Sequence, residues 1–187
     1  MVIIMKIFIK KYNDDSEIFL KDILSNYYNI TKYEIIKNQF GKKFLKNINL
    51  FFNISHSKDL IVLIIDTKPV GIDIEFHNHE RRFEKLVDHY FFDNEKEEYK
   101  INNDKINYFY HIWTSREAYV KMLGTGIVGY FYNLPDEYNE SVKSFRVKYQ
   151  NDDYTLSYTL PMACKSENPK EYQIIYDLDL IMEEINE

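Results

Sequence analysis

An α+β fold is predicted by three patterns in the chain. Apolar residues recur at helical spacing over residues 16–28 and again through residues 83–123. Strict alternation marks strands at residues 70–76, 145–149 and 154–158. The unbroken apolar run at residues 60–65 reads as a strand covered on both faces. The resulting order is β-α-β-β-α-α-α-β-β-β, in which helices and antiparallel strands are grouped and do not alternate regularly.

The first strand is expected over residues 1–9, where an apolar stretch is interrupted by Lys6 and closed by Lys10 and Lys11. Asn13, Asp14, Asp15 and Ser16 form a helix-start cluster, and Leu20, Ile23, Leu24 and Tyr27 give the spacing of one helical face. Phe40, Gly41, Lys42 and Lys43 form a loop. Asp66, Thr67, Lys68 and Pro69 are expected to turn the buried strand back as a hairpin with residues 70–76. Phe83, Leu86, Val87, Tyr90 and Phe91 mark a second helix, and Asn94 with Glu97 marks the capped start of a third. A fourth helix runs from Ile106 to Leu123 and stops at Gly124. A hairpin around Asn151, Asp152 and Asp153 follows, then one last strand over residues 172–181.

The bulk numbers exclude several classes. The chain has 187 residues, 45% of them hydrophobic and 17% aromatic, enough for one good core or two small ones. A net charge of −6 argues against a general nucleic-acid binder. A single cysteine, Cys164, leaves no internal disulfide framework and fits a reducing, cytoplasmic setting. The apolar N-terminus is too short to span a membrane and has no signal-peptide cleavage pattern.

Two segments carry chemistry. In Val70-Gly71-Ile72-Asp73-Ile74-Glu75, alternation sends both carboxylates to the face opposite the apolar one. In Trp113-Thr114-Ser115-Arg116-Glu117-Ala118-Tyr119-Val120-Lys121, Glu117 and Lys121 are four apart on one helical face. Three carboxylates and an ammonium on inward-leaning surfaces are costly unless a ligand balances them. A hard divalent cation held by oxygens, with a phosphate on its far side, provides that balance. Just upstream, Ser55, His56 and Ser57 offer hydroxyls, an imidazole and backbone N–H groups to phosphate oxygens.

Other signals fail their context. The G-x-G-x-x-G match at residues 124–129 follows a helix, not a strand. His77 and His79 have no further ligand at zinc spacing, and Cys164 has no partner histidine.

Taken in order, Phe52-Asn53-Ile54-Ser55-His56-Ser57, Gly71-Ile72-Asp73-Ile74-Glu75 and Trp113-x-x-Arg116-Glu117-Ala118-x-x-Lys121-x-x-Gly124-x-Gly126 resemble the motifs of the Sfp-type 4′-phosphopantetheinyl transferases. The resemblance implies two similar α/β halves related by a pseudo-twofold, each with an antiparallel sheet, and a cleft between them. The halves would be residues 1–68, shortened relative to the family, and residues 69–187, which carry the carboxylates. It implies transfer of the 4′-phosphopantetheine arm of coenzyme A to a serine of an acyl or peptidyl carrier protein, with release of adenosine 3′,5′-bisphosphate.

By matching positions, Asp73, Glu75 and Glu117 would ligate Mg²⁺. Glu117 and Lys121 would be catalytic. Phe40, Gly41, Lys42, Lys43, Ser55, His56 and Lys121 would contact coenzyme A. The partners implied are the carrier and coenzyme A, with no nucleic acid, no membrane and a monomeric state. Arg116 stands where the family usually has Lys, and Lys43 where it commonly has Pro. The basic segment that holds the 3′-phosphate in longer members has no counterpart, and Lys10, Lys11, Lys42 and Lys43 are the candidate substitutes. The carrier is expected to dock along residues 76–91 through Arg81, Arg82 and an exposed edge of Phe83. The rival expectations are a non-catalytic carrier-binding module and a Mg²⁺-dependent phosphohydrolase.

Overall fold

The computed structural model describes residues 5–13, 15–126, 134–135, 138–159 and 172–185. The expected strand start at residues 1–4, the end of the glycine match at residues 127–129, and Cys164 lie outside them. One four-stranded sheet has the order β4 (Phe51–Ser57), β5 (Leu60–Asp66), β1 (Met5–Lys11), β9 (Tyr172–Tyr176). The other has the order β10 (Leu180–Glu184), β7 (Val142–Tyr149), β8 (Asp152–Thr159), β6 (Ile72–Phe76). The protein is therefore mixed α+β with mainly antiparallel pairing; among the described residues only β1 and β9 pair in parallel.

The two sheets share one core. Met5, Ile7, Ile9, Leu60, Val62 and Ile64 from the first meet Ile72, Ile74, Val147, Tyr154, Leu156 and Tyr158 from the second. The opposite face of the first sheet, with Phe8, Ile61, Leu63 and Ile65, is covered by α1 (Ser16–Tyr28) through Phe19, Leu20, Ile23 and Leu24. Every residue of β5 is consequently buried, which is why its sequence shows no alternation. Each of its apolar side chains contributes about 1.5–3 kcal/mol by burial. Helix α1 begins where Asp15 accepts from the amides of Glu17 and Ile18, as its sequence predicts.

The outer face of the second sheet carries α4 (Lys105–Leu123), which ends at Gly124 with φ +67°. Their contact is made through hydroxyls. Thr114 and Ser157 lie 2.7 Å apart, Ser115 and Ser144 3.0 Å, and Ser144 and Ser157 2.7 Å, all buried. Small polar side chains that satisfy one another let the helix approach the strands closely. Closest of all is Gly71, where an added Cβ would lie 1.9 Å from the carbonyl oxygen of Ala118 and 2.5 Å from the nitrogen of Met122. Helices α2 (Phe83–Tyr90) and α3 (Asp93–Ile101) form a third cluster against the first half of α4, with Phe83, Val87, Phe91, Tyr99, Phe109 and Tyr110 buried.

Four expectations are corrected. Strands β5 and β6 do not form a hairpin. They belong to different sheets, and residues 66–69 carry the chain across the core from one to the other. The hairpin partner of β5 is β4. The single last strand over residues 172–181 is two strands, β9 on the first sheet and β10 on the second. The start of α3 lies two residues earlier than Asn94, with the Glu95 carboxylate accepting from the Phe92 amide at 2.8 Å. Finally, Phe83 is core and has no exposed edge, being only 7% accessible. A short hairpin of β2 (Ile35–Lys37) and β3 (Lys43–Leu45) was not foreseen, and residues 38–42 form its turn.

Candidate active site

Strand β6 is the edge of the second sheet and β4 the edge of the first, and the candidate site lies where they meet. The register of β6 against β8 sets Asp73 opposite Ser157 and Glu75 opposite Thr155. Both carboxylates therefore face α4. The close approach at Gly71 brings the last turns of α4, with Glu117 and Lys121, down onto that face. From the other side, β4 presents Asn53, Ser55 and Ser57, three alternate residues on one strand face. Asn53 Oδ1 accepts from the Ile72 amide at 3.0 Å, and Ser57 Oγ accepts from the Phe76 amide at 2.9 Å.

Ser55 donates to Asp73 Oδ1 at 2.7 Å, and Lys121 Nζ donates to the same oxygen at 2.6 Å and to Ser55 Oγ at 3.0 Å. Ser57 donates a long bond of 3.4 Å to Glu75. Asp73 is 3% accessible, and its second oxygen, Oδ2, is buried with no hydrogen-bond partner among the described residues. Burial, and then the neighbouring charge of Asp73, push the Glu117 carboxyl up to about 7, with Lys121 opposing and Glu75 adding to the rise. Glu75 is raised for the same two reasons, partly countered by Arg81 and Lys121.

The three carboxylates and Lys121 thus share one field, as the two sequence segments predict. The ion pair of Lys121 with Asp73 supplies a single positive charge. Among the described residues no three His, Cys, Asp or Glu side chains are arranged to hold a metal ion. The donor set nonetheless suits a hard divalent cation: all oxygens, one of them buried without a partner among the described residues, and two carboxyls whose pKa values burial and then the charge of Asp73 raise.

The expected coenzyme A contacts separate into four places. Ser55 and Lys121 are in the carboxylate cluster. Phe40, Gly41 and Lys42 lie at the C-terminal end of α4, where Phe40 is exposed and the Lys42 ammonium is on helix carbonyls. His56 points to the opposite face of its strand from Ser55, exposed and stacked on Tyr12 with ring centroids 4.2 Å apart. Lys43 pairs with Glu17 at 3.1 Å. Arg116 is fully buried and bonded to both oxygens of Glu95 and to the Tyr90 carbonyl. Its work is to join α3 to α4. His77 stacks on Tyr110 and bonds Thr155 at 2.8 Å, a buried histidine and no metal ligand pair with His79.

Sequence reasoning missed Asn53 and Ser57 as partners of β6, although their alternation with Ser55 was legible. It also missed Arg81 as a charge acting on Glu75. A concavity of about 790 Å³ between α3, α4 and β7 contains none of the expected site residues.

The family model of the 4′-phosphopantetheinyl transferase superfamily matches residues 69–173, more than half of the chain. The chain belongs to this superfamily. Among its relatives, 4′-phosphopantetheinyl transferase gsp of Aneurinibacillus migulanus is 35% identical over 118 residues, covering 59% of this chain and 47% of that protein. The transferase Sfp of Bacillus subtilis (strain 168) is 29% identical over 119 residues, 59% of this chain and 51% of that one. The transferase AcpT of Escherichia coli (strain K12) is 28% identical over 139 residues, 72% of this chain and 71% of its own. Apart from AcpT, the chain spans about half the length of the curated relatives it matches or less. No helix among the described residues is long and apolar enough to cross a membrane.

Proposed function

We propose that this superfamily member transfers the 4′-phosphopantetheine arm of coenzyme A to a serine hydroxyl of an acyl or peptidyl carrier protein. The observation that carries the proposal is the cluster of Asp73, Glu75, Glu117, Lys121 and Ser55 at the β4–β6 junction, on the motif positions of the family. Asp73, Glu75 and Glu117 would hold Mg²⁺, which when bound supplies positive charge to the pyrophosphate oxygens. A cleft between residues 1–68 and 69–187 would run along this junction. A cytoplasmic monomer belongs to the same proposal.

The chain's own groups account for the rest. Lys121 balances negative charge on the phosphoryl oxygens as the serine oxygen bonds to phosphorus and the pyrophosphate P–O bond breaks. Adenosine 3′,5′-bisphosphate leaves. Glu117, placed between the metal position and the entering serine, takes the serine proton. Ser55 orients Asp73 and Lys121 by bonding both.

The test is to incubate the protein with coenzyme A, Mg²⁺ and an apo carrier, then weigh the carrier. A mass increase of one phosphopantetheine group supports the proposal. A complex with unmodified carrier would indicate a binding module, and bisphosphate released without carrier would indicate a phosphohydrolase.

A further inference from the structure

Phe40, Gly41, Lys42 and Lys43 were expected to contact coenzyme A, but the turn at residues 38–42 sends hydrogen bonds to the helix that carries Glu117 and Lys121. Lys42 extends its ammonium to the Lys121 carbonyl at 2.6 Å, the Met122 carbonyl at 2.6 Å and the Val70 carbonyl at 3.4 Å. The last carbonyls of a helix have no partner within it and carry its negative partial charge, so a cation there satisfies both. Asn38 makes a second tie, donating from Nδ2 to the Gly124 carbonyl at 2.8 Å. Its Oδ1 accepts from the Phe40 and Lys42 amides at 3.0 and 2.9 Å, fixing the turn that presents Lys42.

The fit is close. A Cβ on Gly124 would lie 2.5 Å from Lys42 Cδ, so the lysine stem fills the space beside the helix end. Val70 lies two residues before β6, the strand that carries Asp73 and Glu75. One ammonium therefore touches backbone from both segments that build the site, one of them at Lys121 itself. With three acceptors around it, this group has little left for a phosphate.

We propose that Lys42, presented by Asn38, is a positioning residue that fixes the last turn of α4 against β6 and so aims Lys121 at Asp73 and the reacting phosphate. This rests on the transferase reading for its catalytic consequence, but not for its structural one. Lys42 acts through backbone, so its removal should alter turnover at saturating coenzyme A and leave coenzyme A affinity nearly untouched. A lysine bound directly to a coenzyme A phosphate would do the reverse.

Two measurements on Lys42→Met, which keeps most of the stem but not the charge, and on Lys42→Arg, which keeps the charge, test this. Amide hydrogen exchange over residues 115–126 should quicken about tenfold or more in Lys42→Met, recover in Lys42→Arg and stay unchanged in α1. In the transfer assay, Lys42→Met should lower kcat about tenfold, with KM for coenzyme A and for dephospho-coenzyme A each within about twofold of wild type. If Lys42→Met does not fold, Asn38→Ala should give the same pattern more weakly. Unchanged exchange overturns the proposal, as does a raised KM for coenzyme A with kcat intact. Faster exchange with full kcat would leave Lys42 a structural cap and overturn its positioning role. Faster exchange in a protein whose wild type transfers nothing would uphold the tie to α4 and reject the transferase reading.

Discussion

Replacing Glu117 by Gln tests the burial of this carboxylate beside Asp73 directly, because it removes one charge and keeps the shape. In the metal-free folded chain this carboxyl holds its proton to about 7, against 4.5 for an ordinary glutamate. Between those values the folded chain binds more protons than the unfolded one, so its stability falls as pH rises. The displacement corresponds to about 3 kcal/mol, trimmed by partial exposure to about 2 kcal/mol. This contribution is whole below about 4.5 and gone above about 7. Urea unfolding with chelator present, from about pH 4 to about pH 8, should therefore show Glu117→Gln gaining about 2 kcal/mol on wild type as pH rises. In a chain of this size that is a rise in Tm of about 4–8 °C. The same variant should lose about a hundredfold in turnover or more, since a charge acting at the reacting centre is gone. Parallel stability curves for the two proteins would show that Glu117 is solvated apart from Asp73 and Glu75, and would remove the electrostatic basis for the site.

Gly71→Ala should cost about 3 kcal/mol or prevent folding, because its Cβ would meet α4 backbone at Ala118 and Met122, and soluble yield with urea unfolding checks it. Arg116→Lys keeps the charge but cannot reproduce the paired bonds to Glu95 together with that to the Tyr90 carbonyl, and should lose about 2 kcal/mol by the same measurement. Burial pushes His77 down to about 4, so folding favours its neutral form. Its contribution is whole above its ordinary 6.5 and is lost as pH falls towards 4, so His77→Gln should flatten the acid limb of the stability curve in that window.

What could be read from the sequence was local. The start of α1 at Asp15, its buried face, the end of α4 at Gly124 and the burial of residues 60–65 all follow from capping and periodicity, which act over a few residues. Strand pairing did not follow, because it is decided by surfaces far apart in sequence. The turn chemistry of Asp66, Thr67, Lys68 and Pro69 is the same for a hairpin as for a crossing between sheets. Likewise, nothing in residues 172–181 announces that Tyr172 to Tyr176 joins β1 while Leu180 onward joins β7. At the site, the carboxylates, Lys121 and Ser55 were found because each lies in a patterned segment. Lys42 was assigned by the match of its loop to the family's and by its charge. Its partners are backbone carbonyls some eighty residues away, which leave no trace in side-chain patterning.

The way β4 meets β6 has a consequence for solubility. An edge strand offers a row of unpaired amides to which any extended peptide can add, a common route to aggregation. On β6 the amides of Ile72 and Phe76 are already taken by Asn53 and Ser57, which are side chains and not a neighbouring backbone. The edge is closed to strand addition without extending the sheet. An approaching protein chain must then be met through side chains at this junction.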